Sequence, residues 1–360
     1  MSIKLTDPIG SPGINITSDN IKQDINIYHF GDSLSDPGNL PFELPKKHWP
    51  TSSTRSKGDV TFETRMHPEY RYTNGQIFPY FIAEKLGMRY LKGSEINVLP
   101  RTKNLYVNFS IAGAGQKDHF VIAITEYTIR FLPSLDFASF AWQIKNFKKL
   151  ISGYINPKVH VPIKVSPRDI FMYMFIGPND LFIMNEELRK EHKIFDGIAI
   201  ENNKYVSKKI DNYVNDVIDN LKQLYQLGMR RIVLGTTDDV ADSIITWKYD
   251  KTVPGTMKFM QSVLTIMHDK LFDILIEIAD REFSGLEIYH LSLCEVLLHI
   301  GRDELEFNSL ADNGSWLVDK PSPSENIDKK VMFIDDVHPT ENVHKLFADY
   351  ILNWMYSKNI

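Results

Sequence analysis

The chain has 360 residues, and 41 Lys and Arg against 46 Asp and Glu give it a formal net charge of −5. That balance excludes a strongly basic nucleic-acid surface. A single cysteine, Cys294, excludes an intrachain disulfide and any cysteine-built metal site. Hydrophobic residues at 43% suffice for a sizeable core, and the length fits one large α/β domain or two ordinary ones.

Met1 to Asp24 is polar, carries Asp7, Asp19 and Asp24, and lacks the apolar stretch of a signal peptide. It reads as an N-terminal extension over residues 1–24, ahead of a single domain over 25–360. No apolar run approaches the roughly 18 residues of a membrane-spanning helix, so a soluble chain is expected. Five short runs rich in β-branched and aromatic residues follow: 26–30, 105–109, 170–176, 231–234 and 286–291. Most are continuously apolar rather than alternating, which suits strands covered on both faces of a parallel sheet. Helical spacing of apolar residues covers 76–86, 140–151, 210–227, 257–278 and 340–354. The alternation predicts an α/β fold, a three-layer α/β/α sandwich around a five-stranded, mostly parallel, doubly wound sheet.

Two segments break the rhythm. Residues 41–72 are rich in Pro, charge and aromatics (Phe42, Trp49, Phe62, Tyr70, Tyr72), and residues 184–206 are strongly charged. Both read as insertions on the rim at the strands' carboxyl ends, where long loops are usually functional. Cys294, in an apolar stretch, reads as a small buried hydrophobe.

The chemistry starts at the end of the first run. Phe30-Gly31-Asp32-Ser33-Leu34-Ser35-Asp36 places a serine on a tight turn after a strand, where open α/β sheets expose reactive groups. A hydroxyl is a weak nucleophile until a base takes its proton. Asp335-Asp336-Val337-His338-Pro339, before the last helix, offers an imidazole and a carboxylate on one loop. Serine hydrolysis needs both, one to carry the proton and one to orient the imidazole. Pro339 holds His338 extended, projecting from the helix start. Asp335 and Asp336 are equally suited to capping that helix.

Small residues in Asn108-Phe109-Ser110-Ile111-Ala112-Gly113, after the second run, let a backbone N–H approach a ligand closely. Gly177-Pro178-Asn179-Asp180, after the third, offers a side-chain amide as oxyanion donor or, equally, an Asx turn. His29 lies in a strand and reads as core. His48, His67, His119 and His192 lack metal-ligand spacing, and no His-Glu-x-x-His pattern occurs, so a zinc hydrolase is not expected. The Gly-x-Ser-x-Gly elbow is absent around Ser33, which argues against an ordinary α/β-hydrolase.

These four blocks together resemble the GDSL, or SGNH, esterase and lipase superfamily. Arg71-Tyr72-Thr73-Asn74-Gly75-Gln76 and Leu132-Pro133-Ser134-Leu135, followed by Gln143, are similar to its bacterial lysophospholipase, phospholipase A and glycerophospholipid–cholesterol acyltransferase branch. The resemblance implies a flavodoxin-like SGNH-hydrolase fold, Ser33 as nucleophile, His338 as base and Asp335 as its orienter. It implies an oxyanion hole from Ser33 N–H, Gly113 N–H and the Asn179 amide. Asp32, Leu34, Asn74, Pro178 and Val337, which lie within these blocks, are expected to line the substrate. The expected substrate is a lipid acyl ester, met at a membrane or micelle surface, with no metal, cofactor or nucleic acid. The branch is largely bacterial and often exported. A carbohydrate or aryl acetylesterase, and a catalytically inactive lipid- or protein-binding module, are the competing expectations.

Overall fold

The computed structural model describes residues 3–4, 25–39, 71, 73, 75–93, 104–116, 121–124, 129–131, 139–152, 163–190, 203–237, 250, 254–293, 296, 306–309, 331–333 and 338–360. One sheet dominates them. Its strands are β1 (Ile3–Lys4), β2 (Ile27–Phe30), β3 (Arg89–Lys92), β4 (Leu105–Asn108), β7 (Ile170–Ile176), β8 (Arg231–Thr236) and β9 (Glu287–Ser292). They lie in the order β1-β9-β8-β7-β2-β4-β3. Every neighbouring pair is parallel.

Among the described residues six helices cover the sheet: α1 (Phe78–Lys85), α2 (Phe140–Ser152), α3 (Pro178–Lys190), α4 (Lys204–Gln226), α5 (Thr256–Glu282) and α6 (Glu341–Ser357). Parallel strands need crossovers, so helices fall on both faces and both faces turn apolar. Along β2, Tyr28 and Phe30 enter the layer shared with α2 to α5, whereas Ile27 enters the layer shared with α1 and α6. Local chemistry sets the helix starts. The Asn203 side chain accepts from the Tyr205 and Val206 N–H groups at 3.1 and 3.2 Å, capping α4. Away from the sheet, β5 (Val121–Ile124) and β6 (Ile129–Phe131) pair antiparallel, and β10 (Glu306–Ser309) and β11 (Val331–Phe333) pair parallel.

The three-layer parallel α/β sandwich is as expected, and its five central strands are the five apolar runs. Among the described residues the sheet has seven strands rather than the expected five. β3 is only half-apolar, and β1 is a two-residue strand inside the polar extension. Such short edges pair by backbone and leave little side-chain pattern. The charged segment 184–206 is helical at both ends, and residues 191–202 lie outside the described residues. Residues 184–190 end α3, and α4 begins at Lys204. Buried Leu181, Phe182, Met184 and Leu188 give α3 an apolar side beneath its charges. Of the other insertion, 41–72, only Arg71 falls within the described residues, and Cys294 lies outside them. No helix among the described residues is long and apolar enough to cross a membrane.

Strand order places the site. After β2 the chain runs to the edge strand β3 and returns to β4 beside β2, then crosses to β7, β8 and β9 on the other side. This reversal is a topological switch point, and crevices open there at the carboxyl ends of the strands. Beneath it, Phe147 of α2 packs on Tyr28, Phe30, Phe109 and Phe171 with ring centroids 4.8, 5.8, 5.9 and 5.4 Å away. Truncating this fully buried ring, Phe147→Ala, should destabilise the fold by about 3–5 kcal/mol, read as a lowered midpoint in urea unfolding.

Candidate active site

The strand β2 ends at Phe30, and the chain turns directly after Gly31. Ser35 N–H donates to the Asp32 carbonyl at 3.1 Å, and Leu34 N–H donates to Asp32 Oδ1 at 3.0 Å. An Asx turn of this kind leaves Ser33 at the corner, half-buried, above the end of β2. A side chain at Gly31 would force its neighbours to shift, because a Cβ there would stand 2.1 Å from Ser35 Oγ and 2.9 Å from Ser110 Oγ. Its peptide groups are held by Gln143 of α2, which accepts from Gly31 N–H at 3.0 Å and donates to Gly31 O at 2.8 Å.

The base meets this turn from the far end of the chain. His338 Nε2 lies 2.9 Å from Ser33 Oγ, within proton-transfer reach. His338 is buried, and Pro339 and the extended Thr340 follow it into α6. Thr340 is the residue that begins α6, without a side-chain cap. The start of α6 is braced by Glu341, whose Oε1 accepts from Gln76 N–H at 3.0 Å, while Arg71 Nε donates to Gly75 O at 2.8 Å. Gln76 thus docks on the helix that follows His338, and Arg71 is tied to Gly75 beside it. Asp335, Asp336, Val337 and Asn74 lie outside the described residues.

Gly113 and Asn179 follow the strands that flank β2. After β4, Ala114 N–H donates to Ile111 O at 3.2 Å, and Gly113 has φ 79°. This is the third corner of a type II turn, which glycine alone occupies without strain. After β7, Pro178 is the first residue of α3 and Leu181 N–H donates to Gly177 O at 2.9 Å. Pro178 therefore starts a helix rather than an Asx turn. Asn179, in that first turn, donates through Nδ2 to Ala114 O at 3.0 Å and to Asp32 Oδ2 at 3.3 Å. Its amide thus touches a residue adjacent to Gly113 and a residue adjacent to Ser33.

The flanking residues differ in their surroundings. Asp32 is buried, and its carboxylate is engaged by Leu34 N–H and the Asn179 amide. Burial pushes that carboxyl up from 3.8 to about 7, against the pull of its hydrogen bond from Leu34 and of His338. Leu34 packs, half-buried, on the layer of α1 and α6, and Pro178 is buried. His29 is core, as expected. Its Nδ1 lies 2.8 Å from Tyr106 OH, and burial drives its pKa down to about 3, so it stays neutral. Sequence reasoning gave no role to Asp36, Asn39 or Ser110, which knit the two glycine-bearing loops together. Asx-turn residues announce a turn, but not the distant loop on which their second oxygen lands.

Comparison with known proteins agrees with these blocks. The family described as GDSL-like Lipase/Acylhydrolase matches residues 27–351. A GDSL esterase/lipase of Arabidopsis thaliana is 21% identical over 340 residues, covering 89% of this chain and 86% of its own. Another from the same plant is 26% identical over 216 residues, 57% of this chain and 52% of its own. A crystal structure of a member of the lipolytic protein G-D-S-L family from Veillonella parvula superposes over 91% of this chain and 96% of its own. Its TM-score is 0.36 at 11% identity, too loose a match to bear on the site.

The buried Asp32 carboxyl makes stability depend on pH. The folded chain keeps this proton to about pH 7, whereas an ordinary carboxyl releases it near 3.8. The proton's contribution is full below about pH 3.8 and is lost as pH rises through 7. Asp32→Asn should therefore gain stability relative to the parent between pH 4 and pH 8, by at most roughly 4 kcal/mol. Parallel denaturant titrations across that range measure the difference.

Proposed function

Because the chain belongs to the GDSL-like lipase/acylhydrolase family, a family of carboxylic ester hydrolases, we propose that Ser33 is its nucleophile and His338 its general base. The observation that carries this reading is the 2.9 Å approach of His338 Nε2 to Ser33 Oγ at the end of β2. Ser33 Oγ attacks the ester carbonyl as His338 Nε2 accepts its proton. The tetrahedral oxyanion receives hydrogen bonds from Ser33 N–H, Gly113 N–H and the Asn179 amide. Asn179 can supply one by yielding its longer bond, the 3.3 Å contact to Asp32, while Ala114 O still fixes the side chain. The protonated imidazole then hands its proton to the leaving alcohol. Water, or an acceptor alcohol, resolves the acyl-enzyme. Asp335 is assigned as the carboxylate that orients His338 and stabilises its charge. No step requires a metal or an organic cofactor.

The proposed substrate is the acyl ester of a lysophospholipid or phospholipid, taken from a membrane or micelle surface, with acyl transfer as a side activity. Two sequence blocks support the lipid reading. In one, Gln76 docks beside the start of α6 and Arg71 is tied to Gly75, and in the other Gln143 holds the Gly31 peptide. Both blocks are those that resemble the phospholipase branch. Leu34 and Pro178, one beside the nucleophile and one beside Asn179, are assigned as first contacts for the acyl group.

Ser33→Ala should abolish turnover of both short- and long-chain esters. Asn179→Ala, which removes one oxyanion donor, should lower kcat by about 100- to 1000-fold. Retained turnover in Ser33→Ala would overturn the mechanism. A lipid panel with product analysis tests the substrate, and release of long-chain fatty acid is expected. Preference for acetyl esters would make the protein a carbohydrate or aryl acetylesterase instead, and absence of any ester turnover would leave a binding module.

A further inference from the structure

We infer that Asp36 is a positioning residue for the oxyanion hole: its buried carboxylate clamps the Ala112 N–H and so sets the direction of the neighbouring Gly113 N–H. The inference rests on the roles given above to Ser33 and Gly113, and adds a residue that never touches substrate.

Asp36 has no exposed surface, although it is a carboxylate next to the nucleophile's turn. Such a group stays buried only if its oxygens are well supplied with donors. Both of them are. Oδ1 accepts from Gly38 N–H at 2.8 Å and Asn39 N–H at 2.6 Å, which closes the loop after Ser33. Oδ2 reaches 76 residues along the chain and accepts from Ala112 N–H at 2.8 Å. One oxygen would satisfy an Asx turn. The second ties the nucleophile's loop to the oxyanion loop.

The recipient of that bond gives it its consequence. Ala112 and Gly113 are the central corners of the type II turn closed by the Ala114 N–H to Ile111 O bond. The peptide between them carries the Gly113 N–H. Type I and type II turns differ by a flip of this central peptide, and a flip reverses the direction of that N–H. Glycine at the third corner permits either form, so the residue that supplies the donor is also the one that leaves its direction loose. The carboxylate on Ala112 N–H holds the turn at its entrance.

The rest of the loop is fixed by other residues. Asn39 Nδ2 donates to Asn108 O and Ser110 O, both at 3.0 Å, and Ser35 Oγ donates to Ser110 Oγ at 2.9 Å. These bonds hold the two loops together upstream of the turn. Asp36 grips the turn at its entrance, on Ala112 N–H, and Asn179 holds its exit, on Ala114 O.

Two variants test the assignment. Asp36→Asn keeps one acceptor for Gly38 and Asn39 and presents an NH2 group, or nothing, to Ala112. Asp36→Ser keeps a short acceptor within its own loop and removes the charge. Each is measured against an ester substrate and against an alkylboronic acid, which bonds to Ser33 Oγ and forms a tetrahedral anion. Values are expressed per folded protein, with the folded fraction read from a thermal melt. Loss of a preorganised oxyanion donor should lower kcat by about 100-fold or more. KM should hardly change, and boronate affinity should weaken in step with kcat/KM.

A control variant, Asn39→Ala, removes the upstream tie and leaves the Ala112 contact. It should lose stability but keep boronate affinity per folded molecule. Boronate affinity and kcat unchanged in both Asp36 variants would overturn the inference. So would Asn39→Ala reproducing their loss of boronate affinity, because the role would then be general loop packing. Full activity of the Asp36 variants beside an inert Ser33→Ala overturns this inference alone. An active Ser33→Ala overturns the reading beneath it.

Discussion

A 2.9 Å contact between Ser33 Oγ and His338 Nε2 joins residues 305 apart in sequence, and the rest of the molecule can be read as what that contact requires. The serine must stand at the end of a strand that cannot shift. β2 lies between β4 and β7 at the switch point of the sheet, with one apolar layer on each face. The histidine must arrive from the other terminus with its ring already aimed. Pro339 and the first turn of α6 hold it, and α6 is braced through Glu341 against the segment before α1. A misplacement of about 1 Å at such a site can cost about 100-fold in rate. That sensitivity explains why so many buried polar bonds surround one hydroxyl.

Those bonds separate two kinds of precision. The aromatic cluster about Phe147 fixes where β2 lies, through packing that resists any change of volume. The polar lattice of Asp32, Asp36 and Gln143 fixes where individual N–H groups point. The first is needed for a fold and the second for a catalyst. Buried carboxylates and amides tolerate no half-satisfied state. A lattice of this kind therefore holds one arrangement of loops, which is how donors can be ready before any charge develops.

The sheet's centre was legible in the sequence because a strand buried on both faces must be apolar throughout, as in Ile170–Ile176. Its edges were not legible. Ile3–Lys4 and Arg89–Lys92 join by backbone pairing, which any residue can supply. The helix at Pro178–Lys190 was hidden because Gly177-Pro178-Asn179 reads as a turn in isolation, and its charges mask the buried Leu181, Phe182 and Leu188. Ser33, Gly113, Asn179 and His338 stood out through their positions after strands and before the last helix. Asp32 was expected to line the substrate, and it is buried with Asn179 donating to its carboxylate. Asp36 passed as one more turn residue. In both cases the partner lies on another loop, and a single sequence does not show which loops meet.

The central claim is that Ser33 is a nucleophile because His338 removes its proton. Reaction with an alkyl fluorophosphonate, followed by peptide mapping in the mass spectrometer, tests it directly. The account predicts one phosphonyl adduct, on Ser33, forming far more slowly in His338→Ala. An adduct on another residue, or an unchanged rate of labelling in His338→Ala, would contradict it.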